Sequence, residues 1–323
     1  MYLYIMSRPH SGSTILDILL GSSDQVASCG EILMGMERGM ETWTCSCGEI
    51  LCDCPVWKTV RQRIVEDPAT DWNELVEASI RQGHKTHLPS TFLASATGTG
   101  ERDRFHQKLR AGTAKLAETI RSVTGTKVVL DSSKLPSRGL FALKFLPDAR
   151  LIHIVRDPRN VLASHYWRFH IGDTYLAQKR PWRGPLAPLA FVEAALMWFF
   201  GNLLFEIIGR IDPKRVVHIR YEDLRDDPAS IIRRLSRELG LDFDDVVERI
   251  NRGEKFDTGH MMGGNPVRTE GKVAFDPGKE KTRERPAFLS WIAIAVCWPL
   301  MLKYGYSLRS DRKAGPPVAR TAT

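Results

Sequence analysis

The chain has 323 residues, 43% of them hydrophobic and 26% charged, with 46 basic against 38 acidic side chains for a formal net charge of +8. These values describe a globular chain long enough for one large α/β domain or two smaller ones, and they exclude collagen, coiled coil and bulk disorder. Ser307–Thr323 supplies +3 of that charge, from Arg309, Arg312, Lys313 and Arg320 against Asp311. The rest is too dilute to argue for a nucleic acid polymer and fits a small anionic ligand better.

The chain opens on a short apolar run, Tyr2–Met6, with no basic region before it, so no secretory signal is expected and the cytoplasm is the expected compartment. Tyr2–Met6, Lys127–Leu130, Leu151–Val155 and Val216–Ile219 are mostly apolar without clear alternation, the pattern of strands buried on both faces of a parallel sheet. Helical periodicity marks Phe105, Leu109, Leu116 and Ile120, and again Ile231, Ile232, Leu235 and Leu239. Asp157-Pro158 and Asp227-Pro228 read as N-cap and first-turn pairs. Strands alternating with helices predict an α/β fold, a three-layer sandwich around a parallel sheet. Residues 35–125 are long for one crossover and read as a helical insert, and the expected organisation is a single domain over 1–306 with a disordered basic tail over 307–323. Leu186–Ile208 and Ala287–Leu302 are very apolar but are interrupted by Pro188, Glu193, Asn202 and Glu206, and by Pro299. Buried core helices are expected there rather than membrane spans, with contact of the second stretch with a membrane surface as the lesser alternative.

After the first strand comes Ser7-Arg8-Pro9-His10-Ser11-Gly12-Ser13-Thr14 and then the apolar helix from Ile15. A glycine turn followed by hydroxyls at a helix start offers backbone N–H groups and the positive dipole end to an anion, with Arg8 and His10 adding donors. No lysine follows Gly12, so this is not a Walker A loop, and the spacing of a dinucleotide fingerprint is absent too. A plain strand–turn–helix remains the simpler alternative. The third strand run ends in Arg156, with Ser164 eight residues further on, two turns into the helix opened by Asp157-Pro158. An arginine at the carboxyl end of such a strand, with a hydroxyl nearby, can clamp a phosphate, although a capped, ion-paired helix start would look the same.

The two motifs together, in this order, resemble the 5′-phosphosulfate and 3′-phosphate motifs of sulfotransferases that use 3′-phosphoadenosine 5′-phosphosulfate (PAPS). The resemblance covers roughly Tyr2 to Tyr306, and His10 stands where that family usually has Lys or Arg. It implies a sulfotransferase fold akin to the P-loop NTPases, PAPS as co-substrate without a catalytic metal, and in-line transfer of a sulfuryl group to a hydroxyl or amine. It also implies that Arg8, His10, Ser11, Gly12, Ser13, Thr14, Arg156 and Ser164 hold the nucleotide. Tyr221-Glu-Asp-Leu224 and Gly264-Asn-Pro-Val-Arg268 resemble later segments of the family, adding Tyr221, Asn265 and Arg268. Cys29-Gly-Glu31 is similar to a segment of protein-tyrosine sulfotransferases whose glutamate is the general base, which implies that role for Glu31. Asp131-Ser-Ser-Lys134 looks like the segment with a catalytic lysine, implying that Lys134 and His10 neutralise charge on the departing oxygen. His153, His165 and His170 are alternative bases, His153 reading better as a core histidine.

Cys45, Cys47, Cys52 and Cys54 cluster in ten residues. A zinc knuckle, disulfides and inert thiols all stay open, and a catalytic role is not expected. The acceptor, a small molecule, glycan or peptide, is not readable. Trp43, Trp57, Trp72 and Phe92 of the insert, with the segment His165–Arg183, are expected to shape its pocket. Two other functions compete: a kinase-like phosphotransferase, and a non-catalytic nucleotide- or zinc-binding interaction protein. Oligomeric state is open.

Overall fold

The computed structural model describes residues 1–83, 89, 104–171, 187–275 and 286–309. The chain divides into two compact units, Met1–Arg156 with Gly201–Glu280, and Asp157–Phe200 with Lys281–Thr323.

The first unit is built on a five-stranded sheet of β1 (Tyr2–Ser7), β2 (Val26–Ser28), β3 (Val128–Asp131), β4 (Ala149–Val155) and β5 (Val216–Arg220). The strand order is β2-β3-β1-β4-β5 and every pairing is parallel, with Tyr4 opposite Asp131 on one side and Leu151 on the other. Every residue of β1 is buried, so its two faces feed two cores. Tyr2, Tyr4 and Met6 enter one core, and Leu3 and Ile5 the other. This is why the strand reads as a continuous apolar run rather than an alternating one.

The first core is covered by α2 (Ile32–Arg38), α3 (Pro55–Val65), α4 (Trp72–Gly83), α5 (Arg104–Thr124) and α6 (Pro136–Phe145), through residues such as Ile32, Trp57, Trp72, Leu116 and Phe141. The opposite face is covered by α1 (Ser13–Leu20) and by helices late in the chain, through Leu16, Leu20, Ile232 and Leu235. Helices on both faces of a parallel sheet make the three-layer arrangement expected from the sequence. Each fully buried Leu or Ile contributes roughly 1.5–3 kcal/mol, which is ample to hold the layers together. Between β2 and β3 the described residues form the helices α2 to α5. The late helix over Pro228–Leu239 begins where expected: the Asp227 side chain accepts from the Ser230 N–H (3.0 Å), Pro228 fills the first turn, and Gly240 closes the helix at φ 68°. Two further strands, Lys255–Asp257 and Lys272–Ala274, pair as an antiparallel hairpin.

The second unit contains α7 (Pro158–Ile171), the first part of α8 (Ala187–Ile211) and a helix over Ala287–Lys303. Tyr166, Phe191 and Phe288 pack against one another, tilted or edge-on, with centroids 5.6–6.1 Å apart. The last helix buries Leu289, Ala293, Cys297 and Met301 as a core helix does, while Trp291, Trp298 and Leu302 are exposed. Within α8, Leu189–Ile211 is long and apolar enough to cross a membrane by length and composition, with a mean hydropathy of 1.6. Phe205 and Ile208 in that stretch are nevertheless buried in the core of the first unit.

Candidate functional site

The chain leaves β1 to one side for β2 and β3 and continues on the other with β4 and β5. The strand order therefore reverses about β1, and ligands in such sheets bind in the crevice at the strands' carboxyl ends. There lie the loop after β1, Cys29–Glu31 after β2, Asp131–Lys134 at the end of β3, Arg156 after β4 and Tyr221 after β5.

The loop after β1 turns through Arg8–Ser11, closed by Ser11 N–H donating to the Arg8 carbonyl (3.2 Å). His10 and Gly12 take the left-handed conformation at φ 67° and 87°. Gly12 is the N-cap of α1 and has no side chain to satisfy the first-turn N–H groups, which point out of the helix end. It also has no room for one: a Cβ there would lie 2.1 Å from Cδ2 of Tyr221. Ser7 Oγ, Arg8 Nε and Ser11 Oγ are buried without a hydrogen-bond partner. Burial also lowers the Arg8 guanidinium from its ordinary value. A desolvated cation, two idle hydroxyls and a helix N-terminus at one turn are the donor set of an oxyanion site. Ser13 and Thr14, buried, begin the helix.

Arg156 Nη1 donates to the His10 carbonyl (2.9 Å), and its guanidinium lies 4.6 Å over the Tyr221 ring. Loop, Arg156 and Tyr221 thus form one packed group. Ser164 is in the second unit, where its Oγ donates to the Asn160 carbonyl (3.0 Å).

Glu31 and Lys134, 103 residues apart, meet: Lys134 Nζ lies 2.5 Å from Glu31 Oε1, with the side chains 14% and 12% exposed for Lys134 and Glu31 respectively. Backbone contacts impose the meeting. Ser132 N–H donates to the Gly30 carbonyl (2.9 Å), Ser133 Oγ accepts from Leu33 N–H (3.2 Å), and Lys134 is bent into the left-handed region at φ 66°. A third segment knits in from far along the chain. Met262 N–H donates to the Cys29 carbonyl (2.8 Å) and Glu31 N–H to the Gly263 carbonyl (3.1 Å). Two residues on, Asn265 N–H donates to Thr14 Oγ1 (3.2 Å). Residues 262–265 therefore touch both the Glu31 turn and the loop after β1. Asn265 uses its side-chain oxygen to accept from Val267 N–H. Arg268 is buried, its Nη1 donating to the carbonyls of Thr44 (2.9 Å) and Met261 (3.4 Å) beside the Trp43 ring.

The residues matched to a known model at this point decide the family: the sulfotransferase-family model matches residues 3–245, most of the chain. The chain belongs to the sulfotransferase family. The sulfotransferase domain from the curacin biosynthetic pathway aligns with 95% of this chain and 98% of its own, at 18% identity and a TM-score of 0.51, and shares the fold. The sulfotransferase domain of the Synechococcus PCC 7002 olefin synthase aligns over 95% of both chains at 19% identity and a TM-score of 0.49. Mouse sulfotransferase SULT7A1, solved in complex with PAP, aligns over 95% of this chain and 89% of its own at 14% identity and a TM-score of 0.42. No curated protein sequence matches significantly.

Sequence reasoning passed over one residue of this sulfotransferase's site. Asp17 of α1 is fully buried and accepts from Ser28 Oγ (2.6 Å) and Ser132 Oγ (2.5 Å), tying the ends of β2 and β3 beneath Glu31 and Lys134. Burial pushes its carboxyl up to about 7, with Asp131 adding to the rise and the two serines and Lys134 opposing it. The signal was available, since Asp17 is the lone charge in an otherwise apolar helix turn. His153 is buried against Asn202 (3.0 Å), as a core histidine would be. Trp57 and Trp72 are packed in the first core. Phe92 and residues 172–183 lie outside the described residues.

Proposed function

We propose that this sulfotransferase takes its sulfuryl group from PAPS and passes it to a hydroxyl or amine of a small molecule, glycan or peptide by in-line displacement. The observation that carries the reading is the Glu31–Lys134 pair, joined through residues 263–265 to the anion loop. The amides opening α1, with Arg8 and Ser11, hold the 5′-phosphosulfate, and Arg156 with Tyr221 receives the 3′-phosphorylated end. Glu31 removes the acceptor proton as the new oxygen–sulfur bond forms. The bond from sulfur to the 5′-phosphate oxygen breaks, and that oxygen keeps the electron pair. Lys134, released from Glu31 once the latter is protonated, and His10 then face the growing charge on that oxygen. Most of the catalysis is positioning and electrostatics, as in phosphoryl transfer. The missing Walker lysine argues against the kinase-like alternative.

Thermal unfolding with 3′,5′-adenosine bisphosphate, beside ADP with Mg²⁺, tests the donor. At about 100 times its dissociation constant the bisphosphate should stabilise the protein by roughly 2.7 kcal/mol, with ADP giving much less. A shift with ADP alone, or with neither, would overturn the assignment.

A further inference from the structure

Cys45, Cys47, Cys54 and His260 each offer one ligand atom, and those four atoms all lie within 4.8 Å of one another. Cys54 Sγ and His260 Nδ1 are 3.3 Å apart, and none of the three cysteines is in a disulfide. In a tetrahedral site with Zn–S near 2.3 Å and Zn–N near 2.0–2.1 Å, neighbouring ligand atoms are spaced by roughly 3.4–3.8 Å. The four atoms therefore stand close to coordination spacing.

The fold builds this cluster. Cys45 and Cys47 flank a tight turn in which Gly48 N–H donates to the Cys45 carbonyl (3.0 Å) and Gly48 sits at φ 97°. Cys54 is the N-cap of α3, at the helix end whose first-turn N–H groups have no partner within the helix. His260 arrives from 206 residues away and is held by its backbone: its carbonyl accepts from Trp57 Nε1 (2.7 Å). Ser46, between the first two cysteines, stitches the two segments together. Its Oγ donates to the Gly259 carbonyl (2.8 Å) and accepts from Met261 N–H (2.7 Å), and its own N–H donates to the Met261 carbonyl (3.1 Å). Ligand-bearing segments braced from outside the donor set are what a metal site requires. Cys52, by contrast, falls outside the group.

We propose that Cys45, Cys47, Cys54 and His260 bind one Zn²⁺. Three thiolates and an imidazole, soft and borderline ligands, select zinc over the hard cations. All four positions are filled by protein, so the site is structural and offers no place to substrate. It clamps the cysteine turn to residues 258–261, and the chain continues from there into the segment that touches Glu31 and Thr14. Metal binding itself does not depend on the sulfuryl-transfer reading.

The test uses the full chain purified under reducing conditions without chelator. Elemental analysis should find one zinc per chain, and exchange for Co²⁺ should give thiolate-to-cobalt charge transfer together with the visible bands of tetrahedral cobalt. Cys47 is exposed, so Cys47→Ser should leave the fold intact by circular dichroism while weakening zinc by more than the roughly 10–100-fold that follows loss of an outer-shell partner. Cys52→Ser should bind zinc as the parent does. The assignment is overturned if the reduced chain holds no zinc and takes up no Co²⁺. Equal loss in Cys52→Ser and Cys47→Ser would overturn it too, as would a Cys45–Cys54 disulfide in the native protein.

Discussion

Replacing Asp17 with asparagine should remove a pH dependence built into the core beneath the site. The carboxyl is pushed from 3.8 to about 7, chiefly by burial. The folded chain therefore keeps this proton at pH values where the unfolded chain has lost it. Its contribution to stability is complete below the unfolded value and is lost as pH rises through the folded one. The full span of about 3 units corresponds to about 4 kcal/mol, and the part falling between pH 5 and 8 to about 3 kcal/mol. Asparagine stays neutral, and the hydroxyls of Ser28 and Ser132 can rotate so that one donates to its oxygen and the other accepts from its nitrogen. Urea unfolding of parent and Asp17→Asn at several pH values from about 5 to 8 reads the difference. Histidines that titrate in that window, and the nearby Asp131 and Lys134, are common to both proteins and cancel. The variant should gain on the parent steadily with pH, by about 3 kcal/mol at the alkaline end relative to the acid end. Parallel stability curves would mean that Asp17 is ionised throughout and that its serine hydrogen bonds outweigh burial.

Three further outcomes follow from the site. Glu31→Gln should slow release of 3′,5′-adenosine bisphosphate from PAPS in the presence of acceptor by roughly 10²–10⁴-fold while nucleotide affinity is retained, and undiminished turnover would remove Glu31 as base. Gly12→Ala forces a Cβ to within 2.1 Å of the Tyr221 ring at φ 87°. It should cost roughly 1–3 kcal/mol of stability and abolish the bisphosphate-induced thermal shift, so a normal shift would place the anion elsewhere. Arg156→Ala should weaken 3′,5′-adenosine bisphosphate about 10–100-fold and ADP far less, as measured by calorimetry, and equal losses would separate Arg156 from the 3′-phosphate.

What could be read along the chain was whatever is encoded locally. The strands β1, β3 and β4 announce themselves because burial on both faces demands mostly apolar runs, and β5, buried at Val217 and Ile219 only, by its apolar Val216, Val217 and Ile219, whereas β2, only three residues long, leaves no such trace. The turn after β1, the candidate anion loop, is legible for the same reason: its glycine, hydroxyls, arginine and histidine sit within eight residues, and the left-handed turn falls on His10 and Gly12. Glu31 and Lys134 were nameable only through likeness to a family, because each is locally an ordinary surface-type residue. Their significance lies in contact across 103 residues, made by backbone bonds from Gly30 to Ser132 and from Leu33 to Ser133.

The cysteine cluster shows why such contacts escape a local reading. Counting sulfur in residues 45–54 invites a four-cysteine site, yet Cys52 falls outside the group and His260 completes it. Nothing near Gly259-His260-Met261 marks that histidine, because what brings it in is the Ser46 hydroxyl and the Trp57 indole, both engaged with backbone. The same segment then carries Gly263 to Glu31 and Asn265 to Thr14. A stretch with turn-like composition thus connects cysteine cluster, candidate base and candidate anion loop. Its residues act through their carbonyls and N–H groups, which every sequence possesses, so only the fold reveals what they join.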